Sequence, residues 1–204
     1  MIETLSTVNS LSDKSASDLE KRLSAYTKVL VVAGQNDFEE GLLKSLEKFS
    51  TYQQAPVLAD IISNLHSLRE VVTQADVFLG QSRESIKNSL QPELLITFGK
   101  SIVSKQLKLF LRKYKPKEHW HLQAGGYVAD TFQSLTTTIS VDPATFFEEL
   151  GATKSASNFE NQKRENYLRL WGAEEHRMAR SVETFFSTPL LGELHIVREV
   201  MRSL

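Results

Sequence analysis

The sequence predicts an α/β fold, a parallel sheet flanked by helices, with a helical extension at its C-terminal end. Three observations predict it. Short valine- and leucine-rich runs, KVLVVA at 28–33, PVLA at 56–59 and ELLITF at 93–98, show no polar alternation, as expected of strands covered on both faces. Helical patterns stand between these runs, and that order builds parallel βαβ units. From Ser155 onward the strands stop and a charged helical run begins.

Each element follows from local chemistry. Residues 1–14 are polar and read as a linker or arm. A helix opens at Ser15-Ala16-Ser17-Asp18 and runs to about Tyr26, with Ser17 and Glu20 spaced as a capping box. After the strand at 28–33, Gly34-Gln35-Asn36-Asp37 makes a turn, and Asn36 or Asp37 caps a helix over Phe38–Phe49. That helix places Phe38, Leu42, Leu43, Leu46 and Phe49 on one stripe. The strand at 56–59 leads to a junction at Asp60–Asn64. Residues 65–80 fit helix or loop, and Arg83–Ser89 fits a short helix.

Further along, Glu93–Phe98 is a strand, Ile102–Tyr114 an amphipathic helix and His119–Gln123 a strand. Thr136–Val141 is β-branched and reads as another strand. Asp142-Pro143 opens a helix with proline in its first turn, Phe146, Phe147 and Leu150 turn inward, and Gly151 stops it. The final run presents Phe159, Tyr167, Leu170, Trp171, Met178, Val182, Phe185 and Phe186 along one face. Pro189 breaks it, and Glu193–Leu204 forms a last helix. The boundaries are therefore 1–26 for arm and lead-in helix, 27–154 for the α/β domain, and 155–204 for the helical extension.

Composition narrows the function classes. The chain has 204 residues, 24 lysines and arginines, and 25 acidic residues. So balanced a charge gives no footprint for nucleic acid or an anionic membrane surface. No apolar run approaches the about 20 residues that a membrane span needs. Without cysteine there is no disulfide, thiolate nucleophile or cysteine-bound zinc. A cytoplasmic setting is the expectation.

Several segments could carry chemistry. Gly34 follows the first buried strand, but GQNDFEEG lacks the glycines of GxGxxG, so an ordinary turn is favoured over a dinucleotide site. GKSIVSK at 99–105 is not a phosphate loop, because Ser104 stands where the second glycine belongs. It reads either as a polar site made by Ser101, Ser104, Lys105 and free helix amides, or as a solvated basic face. Lys100, Lys105, Lys108, Arg112, Lys113, Lys115 and Lys117 give this stretch its charge. His119 and His121 share one strand face, with no third metal ligand in view. Glu174-Glu175-His176 lacks metal-ligand spacing and reads as solvated. Asp60, Asp130 and Asp142 stand at element boundaries, where any could be catalytic and each reads more simply as a cap or turn residue.

PVLADIISNLHS, then ADVFLG, then PELLITFGKSIVSKQLKLFLRKYKPKEHWHLQ resemble the central domain of a thiamine-diphosphate enzyme family of menaquinone biosynthesis, the 2-succinyl-5-enolpyruvyl-6-hydroxy-3-cyclohexene-1-carboxylate synthases. The resemblance covers about Lys28 to Leu150. Its strongest parts are the Ser63-Asn64-Leu65 turn, the run from Phe98-Gly99 to Ser104-Lys105, and Glu118-His119-Trp120-His121. Ser155–Leu204 is similar to the lead-in to that family's diphosphate-binding domain.

The resemblance implies a Rossmann-like central domain, degenerate and holding no nucleotide. It implies a parent of three domains (pyrimidine-binding, central, diphosphate-binding) working as a homodimer or homotetramer. That parent decarboxylates 2-oxoglutarate and joins the resulting unit to isochorismate, with thiamine diphosphate as electron sink and Mg²⁺ or Mn²⁺ on its diphosphate. The family's activating glutamate and GDG metal motif belong to the other two domains, and this chain has no GDG. The expectation is a central domain without catalytic, cofactor-binding or metal-binding residues of its own, inactive alone. Lys105 and Gln106 match the family's substrate-binding positions. Lys105 suits a carboxylate; Gln106 stands where some members have arginine and lacks the bidentate fork, which Arg112 or another domain would have to supply.

Overall fold

The computed structural model describes residues 3–6, 10–151, 158–187 and 192–203. Six strands, β1 (Glu3–Ser6), β2 (Val29–Ala33), β3 (Val57–Ala59), β4 (Leu94–Phe98), β5 (Glu118–Leu122) and β6 (Thr137–Ser140), pair in parallel in the order β1-β6-β5-β4-β2-β3. β3 lies on one side of β2, and β4, β5 and β6 follow on the other. The winding therefore reverses between β2 and β4, where doubly wound sheets open a ligand crevice.

Both sheet faces are covered, which is why the strand sequences do not alternate in polarity. Val29, Val31, Ala33, Leu94, Ile96 and Phe98 face α1 (Asp13–Ser24), α2 (Glu40–Gln53) and α6 (Pro143–Gly151). Leu30, Val32 and Leu95 face α3 (Ala75–Gln81), α4 (Glu84–Leu90), α5 (Lys105–Lys113) and α7 (Asn158–Ser187). Each large apolar side chain buried this way contributes about 1.5–3 kcal/mol. Phe146, Phe147 and Leu150 turn inward from α6 as expected.

Several expectations need correction. The N-terminal arm contains β1, which extends the sheet beside β6. α1 starts upstream of the expected capping box: Ser12 caps it by accepting from the Ser15 amide at 3.3 Å. Leu11, just before the cap, is buried in the cluster on which Ala16 packs, and this hydrophobic staple fixes the start. α2 begins at Glu40 and has no side-chain cap, because the preceding turn is tied elsewhere: Gln35 N donates to Ser101 O, and Asn36 N to Ile62 O. Phe38 consequently leaves the apolar stripe and is 67% exposed. Gly151 ends α6 from inside the helix; a Cβ there would lie 3.4 Å from Phe49 N, so the glycine permits close approach to α2. Within the ambiguous stretch, Val72 bridges to Leu58 and α3 follows.

α7 is tied into the α/β domain at three levels. Near its start, Arg164 is only 3% exposed. Its guanidinium donates to Tyr26 O at 3.0 Å, Leu23 O at 2.6 Å and Gln53 Oε1 at 2.6 Å, satisfying groups at the ends of α1 and α2. Next, Tyr167 donates its hydroxyl to Leu90 O at 2.8 Å, and Trp171 lies edge-on to Phe78 and Phe110. Beyond these, Glu175 accepts from Thr73 N, Thr73 Oγ1 and Gln74 N, which caps the start of α3 from another element. The apolar face then emerges: Phe185 is exposed, and α8 (Glu193–Ser203) has no buried residue. Arg198 pairs with Glu183 at 2.6 Å to hold α8 against α7. The expected break at Pro189, the boundary at 154–155, the final Leu204 and the Phe159 side chain lie outside the described residues.

Candidate functional site

The carboxyl ends of β2, β4 and β5 meet at one edge of the sheet, but the switch point is filled by the chain itself. Gly34 N donates to Phe98 O at 2.9 Å, Gln35 N to Ser101 O at 2.8 Å and Lys100 N to Gln35 O at 2.8 Å. A Cβ on Gly34 would lie 2.8 Å from Ser101 O, and one on Gly99 would lie 2.8 Å from Gln35 O. The two glycines therefore let the turns interlock. A pyrophosphate would need those same amides, so this crevice is not shaped for a dinucleotide.

Lys105 lines a cleft of about 350 Å³ between the end of β3, α3 and α5. Leu58, Ala59, Ile61, Val72 and Val103 give the cleft apolar walls, and Asp60 and Asp76 complete it. Lys105 is exposed and its ammonium makes no ion pair among the described residues. Gln106 is half-buried and does not line the cleft. Its side chain lies over Gly80 of α3, where a Cβ would come within 3.4 Å of Gln106 Cγ and Cδ.

The helix amides expected to be free for an anion are already occupied. Asp60, 6% exposed, accepts from Val103 N at 2.9 Å and Ser104 N at 3.0 Å. Asp76 accepts from Ser104 Oγ at 2.6 Å and Gln106 N at 2.9 Å. Ser104 Oγ in turn accepts from Leu107 N at 3.1 Å. Two carboxylates thus complement the positive end of α5, the arrangement a helix N-terminus favours. They also explain why α5 starts at Lys105 rather than at Ile102: the amides of Val103 and Ser104 are held outside the helix.

The basic face of this region is only partly solvated. Lys108 donates to Ile102 O, Arg112 to Thr131 O, Lys113 pairs with Glu84 and Lys117 with Glu93. Burial alone would raise the Glu93 carboxyl, but hydrogen bonds from Lys117 and Thr27 outweigh it and hold the group down at about 2. Arg112 is thus engaged two turns away from Lys105.

A second cleft, about 520 Å³, opens where β4 and β5 end, with Lys100, His121, Gln123 and Tyr127 among its lining. His119 and His121 do share a face, and Thr97 of β4 stands between them, 2.8 Å from each ring. Burial, with His121 nearby, pushes His119 down to about 3; burial also lowers His121. Both rings are neutral near pH 7. Among the described residues no three acidic or histidine side chains cluster as a metal site.

The boundary aspartates are structural, as expected: Asp142 caps α6 through Ala144 N and Thr145 N, and Asp130 accepts from Ser134 N and Leu135 N. The Glu174-Glu175-His176 face is not simply solvated, since Glu174 is buried against Arg177 and Glu175 caps α3. Sequence reasoning passed over Asp76 and Thr97. Asp76 falls in the ambiguous stretch; Thr97 was visible as the one polar side chain in LLITF.

Comparison with known proteins decides the family. The family model described as the middle domain of thiamine pyrophosphate matches residues 10–204. The chain belongs to this middle-domain family. Among curated proteins, it is 38% identical over 141 residues to the 2-succinyl-5-enolpyruvyl-6-hydroxy-3-cyclohexene-1-carboxylate synthase of Bacteroides thetaiotaomicron, covering 68% of this chain and 25% of that protein. To the synthase of the same name from Cytophaga hutchinsonii it is 29% identical over 178 residues, 87% of this chain and 30% of the relative. To that of Flavobacterium psychrophilum it is 43% identical over 94 residues, 46% and 16% of the two chains. This middle domain thus spans about a quarter of the length of curated relatives it matches. Among its described residues no helix is long and apolar enough to cross a membrane.

Proposed function

We propose that this chain is the middle domain of a thiamine-diphosphate-dependent synthase, a transferase that decarboxylates 2-oxoglutarate and adds the resulting succinyl-semialdehyde unit to isochorismate in menaquinone biosynthesis. The observation that supports this reading most is the 38% identity over 141 residues to a synthase of that reaction's name. The parent works in the cytoplasm as a homodimer or homotetramer, and thiamine diphosphate with Mg²⁺ or Mn²⁺ is held by its other domains.

The described residues do not fit that cofactor. They offer no cluster of metal-ligating side chains, and Asp60, Asp76 and Ser104 already occupy the α5 amides that a diphosphate would seek. No chemical step is assigned to this chain. Its proposed contribution is one wall of the substrate pocket, where Lys105, whose ammonium makes no ion pair among the described residues, stands beside apolar walls to meet a carboxylate-bearing ring or chain. Gln106 contributes by packing on α3, which holds the first turn of α5.

Two measurements test this. Calorimetric titration of the 204-residue chain with thiamine diphosphate and Mg²⁺ should give no heat of binding; micromolar or tighter affinity would sink the reading. In the full-length synthase, Lys105→Ala should raise KM for one acidic substrate about tenfold, the size of a lost charge-assisted hydrogen bond, with cofactor affinity unchanged. An unaltered KM for both acids removes Lys105 from the site.

A further inference from the structure

The segment Ala124–Ala129, between β5 and β6, rims the larger cleft and carries Tyr127, which is 91% exposed. Its entry is held by Gln123, whose Nε2 donates to Gly125 O and, at 3.4 Å, to Tyr127 O. Its exit is the Asp130 turn, which receives Ser134 N at 3.0 Å and Leu135 N at 3.2 Å. We propose that this segment is a lid over the cleft whose two hinges are coupled by a one-way hydrogen-bond relay running beneath it, Ser134–His119–Thr97–His121–Gln123. The proposal stands independently of the function assigned above.

The direction of the relay follows from the Gln123 end. Because Gln123 Nε2 donates to two carbonyls, its Oε1 is the atom facing His121 and can only accept, so His121 Nε2 carries the proton across 3.2 Å. The neutral ring then has a bare Nδ1, which must accept from the Thr97 hydroxyl at 2.8 Å. Thr97 has one proton to give, and Trp120 O, at 3.4 Å, is the longer alternative. With that proton committed, Thr97 Oγ1 accepts from His119 Nε2–H at 2.8 Å. His119 Nδ1 is left to accept from the Ser134 hydroxyl at 3.1 Å. Every donor meets an acceptor in one sense only. Because His119 and Thr97 are buried, water cannot replace a lost link in the middle.

Such a relay makes the hinges fail together. Thr97→Val keeps the side-chain shape and removes the central hydroxyl. Backbone nitrogen relaxation on the 204-residue chain should then show order parameters falling to below about 0.6 at both Gly125–Tyr127 and Gln133–Leu135. Gln123→Ala should loosen the entry alone and Ser134→Ala the exit alone. A folded Thr97→Val protein, recognised by unchanged hydrogen exchange in β2, that loosens one end or neither overturns the coupling. Nitrogen chemical shifts of the unmodified protein supply a reading that does not depend on the variant folding. They should report Nε2–H with an accepting Nδ1 on both His119 and His121, and Nδ1–H on either ring overturns the relay.

Discussion

Arg164→Ala is expected to lower the stability of the chain by about 3–5 kcal/mol, the range for breaking a buried network of hydrogen bonds to a charged group. The guanidinium is buried and reaches Leu23 O, Tyr26 O and Gln53 Oε1. Leu23 O lies in the last turn of α1, where carbonyls carry partial negative charge, and it also accepts from Tyr26 N at 3.3 Å; Tyr26 O lies just beyond the cap. Burial lowers the Arg164 pKa and Glu160 nearby opposes that, yet guanidinium remains charged at any ordinary pH. Alanine would remove the charged donor from all three acceptors and leave a cavity at the point where α7 joins the first two helices. Lysine at this position should recover little, since a single nitrogen cannot span three acceptors set by a planar fork. Urea unfolding reads the loss directly, and thermal unfolding should fall by about 10 °C. A loss below 1 kcal/mol would mean that Tyr167, Trp171 and Glu175 hold α7 without help from Arg164.

The same junction shows what could and could not be read in the sequence. The buried strands were legible because Val29–Ala33 is apolar throughout and Leu94–Phe98 is apolar but for Thr97, a pattern that a doubly covered sheet requires. The start of α6 at Asp142-Pro143 was legible too, but the starts of α3 and α5 were not, because groups distant along the chain help to set them. Asp60 and Asp76 fix the start of α5 from 43 and 30 residues away, and Glu175 caps α3 from 101 residues away. Local capping rules see none of these. The site was legible to the same degree. Lys105 could be singled out as a cation at a helix start, but the occupation of the surrounding amides depends on where β3 and α3 end in space. His119 and His121 could be placed on one face, yet their partner Thr97 belongs to the neighbouring strand and becomes visible only with the β4–β5 register, which sets Thr97 against His121.

That register has a measurable consequence for stability in acid. An unfolded histidine titrates near 6.5, whereas burial holds folded His119 down at about 3. Above pH 6.5 the ring is neutral in both states and stability is complete. As pH falls below 6.5 the unfolded chain takes up a proton that the folded chain refuses, so stability falls with pH until about pH 3. His121 is lowered by its own burial and acts in the same direction. Glu93 belongs to a separate window: its carboxyl drops from 4.5 to about 2 on folding, so its contribution is present above pH 4.5 and lost below. The interval from pH 6.5 to 4.5 therefore isolates the histidines, and His119 alone should remove about 2–3 kcal/mol across it. Urea midpoints at pH 7, 5.5 and 4.5 should trace that decline. His119→Leu, although less stable at pH 7 for want of the relay, should show a distinctly shallower dependence in the same interval. Equal slopes in the two proteins would mean that His119 takes up its proton in the folded state and that the strand pair is not sealed from solvent.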